Sequence, residues 1–130
     1  MKIIEINELD SFKPEVDKSW STFDGYEIKT DEEILTLLIS NEQNCCEDWG
    51  TICSPDNIKD FIGAEIYKID LVDDEYVKSP LLQKEIPHPD CLDCAFINFE
   101  TDRGELQFAV YNNHNGYYGH EVIIKREKIK

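Results

Sequence analysis

Apolar residues recur along this chain with two periods, and these divide it into elements. Residues 2–7, Lys-Ile-Ile-Glu-Ile-Asn, alternate and predict a short strand. Phe12, Val16 and Trp20 follow at helical spacing with Pro14 near a candidate start, so this stretch reads as a helix or as an irregular wrap. Asp24-Gly25 predicts a turn, and Tyr26-Glu27-Ile28-Lys29 a second short strand. Thr30-Asp31-Glu32-Glu33 then has the form of a capping box, a hydroxyl followed three residues later by a carboxylate. Its three acids also suit a helix N-terminus. Ile34, Leu35, Leu37, Leu38 and Ile39 give the predicted helix a broad apolar face, fading near Asn41–Asn44. Residues 45–50 are turn-like. Ser54-Pro55 opens a second, short predicted helix with Ile58, Phe61 and Ile62 on its apolar face and Gly63 at its end.

Residues 64–72 predict a half-buried strand, with Tyr67, Ile69 and Leu71 on one side and Lys68 and Asp70 on the other. A long connection, 73–93, holds Pro80, Pro87 and Pro89; it reads as a mobile or metal-pinned loop. Ala95, Ile97 and Phe99 alternate with polar residues up to Glu100. A two-residue turn at Asp102-Arg103 sets Phe99 opposite Leu106 and Ile97 opposite Phe108, which keeps the apolar faces in register. A second hairpin is expected through 112–120, then a strand at Val122-Ile123-Ile124 and a basic tail, 125–130. The expected fold class is α+β: one domain over 1–130, a mostly antiparallel sheet ending in a three-stranded meander, with two helices packed on it.

Composition narrows the function classes. The chain has 130 residues, 28 acidic and 13 basic, and a formal net charge of −15. Residues 1–100 carry 24 acids and 8 bases, and residues 101–130 carry 4 acids and 5 bases. Such a chain is repelled by nucleic-acid phosphates and anionic membranes, and its natural partners are cations or basic protein surfaces. Two acidic clusters are candidate contact points: Asp31, Glu32 and Glu33, and Asp70, Asp73, Asp74 and Glu75. The plain alternative is a solvated, solubilising face. No stretch approaches the roughly 20 apolar residues of a membrane span, and the N-terminus lacks a signal-peptide plan, so a reducing cytoplasm is expected. Nothing in the pattern asks for an oligomer, and a monomer is expected.

The odd count of cysteines argues against a disulfide framework. Cys91-Leu-Asp-Cys94 has the spacing at which two thiolates grip one zinc ion, and Cys46 and Cys53 would complete the set, with His88, Cys45, His114 and His120 in reserve. Buried reduced thiols are the alternative. Cys45 or Cys46 with His114 or His120 could form a thiol hydrolase, although no protease or amidase signature surrounds them. His114, Tyr117, Tyr118 and His120 surround Asn115-Gly116, a composition that suits a recognition loop.

Three segments carry a resemblance: Asn44-Cys45-Cys46-Glu47-Asp48-Trp49-Gly50, then Asp60-Phe61-Ile62-Gly63-Ala64-Glu65, then Arg103 to Phe108 continuing to Asn115-Gly116-Tyr117-Tyr118-Gly119-His120. Over roughly 25–124 the chain resembles a family of small phage and prophage proteins of Gram-positive bacteria. The family pattern does not require Cys91 or Cys94, so a zinc site would be an addition in this chain. The resemblance carries no activity with it, but it implies host takeover or counter-defence. Proteins similar in size and charge include anti-CRISPR inhibitors, some of them zinc-binding. The expected function is therefore binding rather than catalysis: inhibition of a basic nucleic-acid-binding host enzyme, a type II CRISPR nuclease in the sharpest case. A small Cys/His hydrolase and a non-defence interaction module are the alternatives.

Overall fold

Between Thr30 and Glu33 the chain makes a tight turn rather than starting a helix. The Thr30 hydroxyl accepts from the backbone N–H of Glu32 (3.2 Å) and of Glu33 (2.8 Å), as an N-cap would, and donates to the Glu33 carbonyl at 2.8 Å. The same local chemistry serves a hairpin turn. The turn leads into a central strand buried on both faces, and such a strand reads as a continuous apolar run rather than an alternating one.

The computed structural model describes residues 1–12, 22–40, 48–55, 57–73, 79–86, 91–114 and 122–129. These residues form β1 (Ile3–Phe12), β2 (Phe23–Thr30), β3 (Glu33–Ser40), β4 (Asp48–Cys53), a 3-10 turn (Ile58–Phe61), β5 (Ile66–Asp73), α1 (Pro80–Glu85), β6 (Cys91–Thr101), β7 (Gly104–His114) and β8 (Val122–Lys128). Two four-stranded antiparallel sheets, β1-β2-β3-β8 and β4-β7-β6-β5, pack face to face as a β-sandwich.

This overturns the α+β expectation with two packed helices. The first predicted helix is β3. The second reduces to the 3-10 turn, which Asn57 caps and Gly63, at φ 92°, follows. Asp24-Gly25 is no turn but lies inside β2, where Gly25 allows β2 to approach β3: a Cβ there would stand 1.9 Å from the Leu37 carbonyl oxygen. The C-terminal meander is also corrected. The β6–β7 hairpin has the expected register, Ile97 opposite Phe108 and Phe99 opposite Leu106. The other neighbour of β7, however, is β4, and β8 joins β3 in the opposite sheet. A bidentate ion pair accompanies that placement: Arg126 of β8 contacts both carboxylate oxygens of Glu33 at 2.7 Å. Part of the long connection forms α1, whose Ser79 cap and Pro80 at the first turn are ordinary start signals.

The main core lies between the sheets and centres on Phe108, which packs against Tyr26 (ring centroids 4.7 Å apart) and edge-on against Phe99 (6.1 Å). A smaller core on the outer face of the second sheet joins Leu82 and Ile86 of α1 to Cys94, Phe96, Ala109 and Tyr111.

Two features position everything else. First, β2 lies over β4, β3 over β7 and β6, and β8 over β6, while β1 packs against the 3-10 turn. The sheets are offset sideways, so β1 projects past one flank and β5 past the other. Second, the ends differ. The connections after Phe12, Ser40, Asp73 and His114 all leave from one end. The other end is stapled: Ile3 exchanges backbone hydrogen bonds with Gly63 and Ala64, and the Arg103 guanidinium donates to the carbonyls of Asp60 (2.7 Å) and Ile62 (2.8 Å).

Candidate functional site

Along β1 the inward side changes character. Ile6 lies opposite Ile28 and packs on the core, while Glu8, two residues on, lies opposite Tyr26. Because β1 overhangs β4, Glu8 faces an opening instead of a strand. The result is a cleft of about 390 Å³ lined by Glu8, Leu9 and Asp10 of β1, Asp24, Gly25 and Tyr26 of β2, and Thr51 of β4. Three of these seven residues are carboxylates, and none is a cation. On the outer side of the same strands the acids are balanced, since the Lys29 ammonium stands 3.6 Å from Glu5 and 3.7 Å from Glu27.

The floor of the cleft is uncharged. The Tyr26 hydroxyl shares hydrogen bonds with Thr51 and Cys53, and burial first, with Glu8 adding to it, pushes its pKa well above the ordinary value. The Cys53 thiol donates to the Pro55 carbonyl at 3.8 Å. Burial and then Glu8 push its pKa up as well, with Tyr26 opposing. That is the reverse of what a thiolate nucleophile or ligand needs. The site therefore offers fixed negative charge over a floor of protonated hydroxyl and thiol groups, an arrangement that recognises a cationic side chain.

The residues singled out from sequence are distributed elsewhere. Asp31, Glu32 and Glu33 lie at the stapled end and are engaged. Asp31 accepts from the Lys2 backbone at 2.9 Å, Glu32 faces the Met1 amino group at 3.7 Å, and Glu33 is buried against Arg126. Asp70 pairs with Lys68 at 3.6 Å on β5, and Asp73 ends that strand. Cys53, opposite Phe108, faces the main core, whereas Cys94, opposite Tyr111, sits in the outer core. These two cysteines are on opposite faces of one sheet and do not meet at one ion. Cys91 and Cys94 belong to the continuous strand β6, not to a knuckle, and Cys91 is the register partner of His114. Among the described residues no three His, Cys, Asp or Glu groups converge as a metal site. Cys45, Cys46, Asp74, Glu75, His88, Tyr117, Tyr118 and His120 lie outside the described residues, as do Val16 and Trp20.

A model of one protein family, a domain of unknown function (DUF7448), matches residues 1–124. The chain belongs to this family. The DUF7448 match takes in β1 to β7 and the start of β8, so the acidic cleft and both flanks fall within it. No curated protein and no solved structure matches the chain. Among the described residues no helix is long and apolar enough to cross a membrane.

The acids of the cleft, Glu8, Asp10 and Asp24, were missed by the sequence reading. The signal was present. Had the first strand been continued past residue 7, the alternation Ile6, Glu8, Asp10 would have placed two acids on the core-facing side.

Proposed function

We propose that this protein acts by binding, as an acidic inhibitor that docks on the basic, nucleic-acid-binding surface of another protein. The cleft of Glu8, Asp10 and Asp24 receives Lys or Arg side chains that would otherwise hold phosphates. The observation that supports this reading is the placement of carboxylates on the inward side of an overhanging strand, with no cation among the described lining residues. A host defence enzyme in the bacterial cytoplasm is the partner class, with a type II CRISPR nuclease its most specific member.

Calorimetry with that nuclease at low salt tests the reading. A complex that weakens steeply as salt rises is expected, because screening shortens the reach of surface charge. Replacing the acids together (Glu8→Gln, Asp10→Asn, Asp24→Asn) should weaken it about 10- to 100-fold, at about 1.4 kcal/mol per tenfold. No complex at low salt rejects the nuclease as partner, and unchanged affinity of the triple variant rejects the cleft as the contact.

A structural zinc ion is the second reading, moved to the end of the sandwich where β6 begins and β7 finishes. It is favoured there by the register that sets Cys91 opposite His114. Elemental analysis should find one zinc per chain in the wild type, lost in Cys91→Ala and His114→Ala and kept in Cys53→Ser. Metal-free wild-type protein, or loss in Cys53→Ser alone, excludes this placement.

A further inference from the structure

The flank opposite the cleft has different chemistry. Among the described residues strand β5 is one of the two edges of the second sheet, and it has no facing strand in the first sheet comparable to those over β4, β7 and β6. Its central residues run Tyr67-Lys68-Ile69-Asp70-Leu71. Tyr67 is 69% exposed, more than any other large apolar side chain among the described residues. Ile69 and Leu71 are only half buried against the core, and Lys68 and Asp70 share the outer side.

An edge strand can meet a second copy of itself antiparallel about a two-fold axis perpendicular to the sheet. Residues opposite one another must then lie on the same face, so the axis passes through a residue position. With the axis at Ile69, Lys68 of each copy stands opposite Asp70 of the other, and Ile69 meets its own equivalent. With the axis one residue further on, Asp70 would face Asp70. Of these two axes, the charge pattern of β5 favours the one at Ile69.

We infer that β5 is a self-pairing edge through which two copies join their second sheets into one continuous eight-stranded sheet. The occupant of this edge is another copy of the chain, chosen by the Lys68/Asp70 alternation and by the apolar Ile69 on the side facing the core. Two features of β5 also serve as edge protection, namely Lys68 and the one-residue register shift against β6 at Tyr67. Lys68, Ile69 and Asp70, which this register sets opposite one another in the two copies, lie beyond the shift in the stretch that pairs regularly with β6. Each copy carries −15, so long-range repulsion opposes the pairing and added salt strengthens it.

Sedimentation velocity of the whole chain over a concentration series at about 0.5 M salt tests this, a salt level at which surface charges are screened within a few ångströms. A reversible monomer–dimer equilibrium is expected. Lys68→Asp alone and Asp70→Lys alone each place like charges opposite one another twice, and should raise the dissociation constant at least about tenfold. The double exchange, Lys68→Asp with Asp70→Lys, restores unlike pairs and should restore the dimer. Both positions are exposed, with side chains 60% and 45% accessible, so far-UV circular dichroism should be unchanged in all three. A wild type that stays monomeric throughout overturns the inference. So do single variants that dimerise like the wild type, or a folded double variant that stays monomeric.

Discussion

The two flanks of the sandwich arise from one cause and have opposite chemistry. The sideways offset of the sheets leaves β1 on one side and β5 on the other without a facing strand among the described residues. On β1 the cleft-lining acids are Glu8 and Asp10, joined by Asp24 from β2, charges of one sign with no cation among the described lining residues. On β5 the inward positions are the half-buried Ile69 and Leu71, while the charges, Lys68 and Asp70, lie on the outer side and are of opposite sign, so each can meet its opposite in another copy. Salt separates the two. It should weaken whatever binds at the cleft and strengthen pairing at β5, because the first is attraction between unlike partners and the second works against the repulsion of two acidic chains. An overhanging strand is thus not in itself a binding site; the side chains at its uncovered positions decide what it is for.

The largest effect that would break this comparison is expected from Gly25→Ala. The new Cβ would fall 1.9 Å from the Leu37 carbonyl oxygen, with the Leu37 carbonyl carbon and Leu38 Cα 2.9 Å away. The obstacle is backbone, which cannot rotate aside, so β2 must move away from β3. A loss of about 3 kcal/mol or more is expected by urea denaturation, at the upper end of overpacking costs. The displaced strand carries Asp24 and Tyr26, so the cleft should lose its affinity for basic partners. The β5 edge belongs to the other sheet, and dimerisation should persist in a variant that remains folded. Denaturation matching the wild type would show that β2 and β3 do not approach this closely.

Three strands of each sheet were legible in the sequence, β1, β2 and β8 in the first and β5, β6 and β7 in the second, whereas β3 reads as a helix and the start of β4 as a turn; the two threonine turns show why β3 misleads. Thr101-Asp102-Arg103-Gly104 and Thr30-Asp31-Glu32-Glu33 are built alike. In each the threonine hydroxyl accepts from the turn's backbone, Thr101 from the Arg103 N–H and Thr30 from those of Glu32 and Glu33, and donates to a carbonyl three residues on, to Gly104 at 2.7 Å and to Glu33 at 2.8 Å. The first ends in glycine and lies between alternating strands, so it reads as a hairpin. The second ends in glutamate and precedes an unbroken apolar run, so it reads as a helix cap, because Thr followed by an acid three residues later supplies the same hydrogen bonds to either structure. Only tertiary context, a strand with apolar neighbours on both faces, separates them. The placement of β8 was likewise not local information. Its ion pair to Glu33 spans most of the chain, and no spacing rule reports it. The cleft was half legible, through the alternation Ile6, Glu8, Asp10, but that it stays open depends on the offset between sheets, which the sequence of one strand does not show. For the cysteines, the Cys-x-x-Cys spacing suits both a knuckle and a strand, and in a strand it sends the two positions to opposite faces.

The smallest effect sharpens the comparison by titration, because the floor of the cleft carries groups with raised pKa. Tyr26 and Cys53 are both held protonated, chiefly by burial and further by Glu8. A group whose folded-state pKa lies above its unfolded value binds its proton more tightly when folded. The stability it lends is fully present below the unfolded pKa and is lost as pH rises through and beyond it. The unfolded values lie at about 8.5 for a cysteine and about 10 for a tyrosine, so stability should be flat through neutrality and decline from about pH 9 upward. Each group contributes a slope of at most about 1.4 kcal/mol per pH unit. Urea denaturation at pH 8 and at pH 10.5 would read it. Tyr26→Phe, which has no proton to lose, should start less stable at pH 8 through the lost hydrogen bonds to Thr51 and Cys53, and should then fall less steeply than the wild type. Equal slopes for the two proteins would mean that Tyr26 titrates normally in the folded state, and that water reaches the floor of the cleft. In that case the carboxylates above it would act on a partner's cation through solvent, with correspondingly weaker attraction.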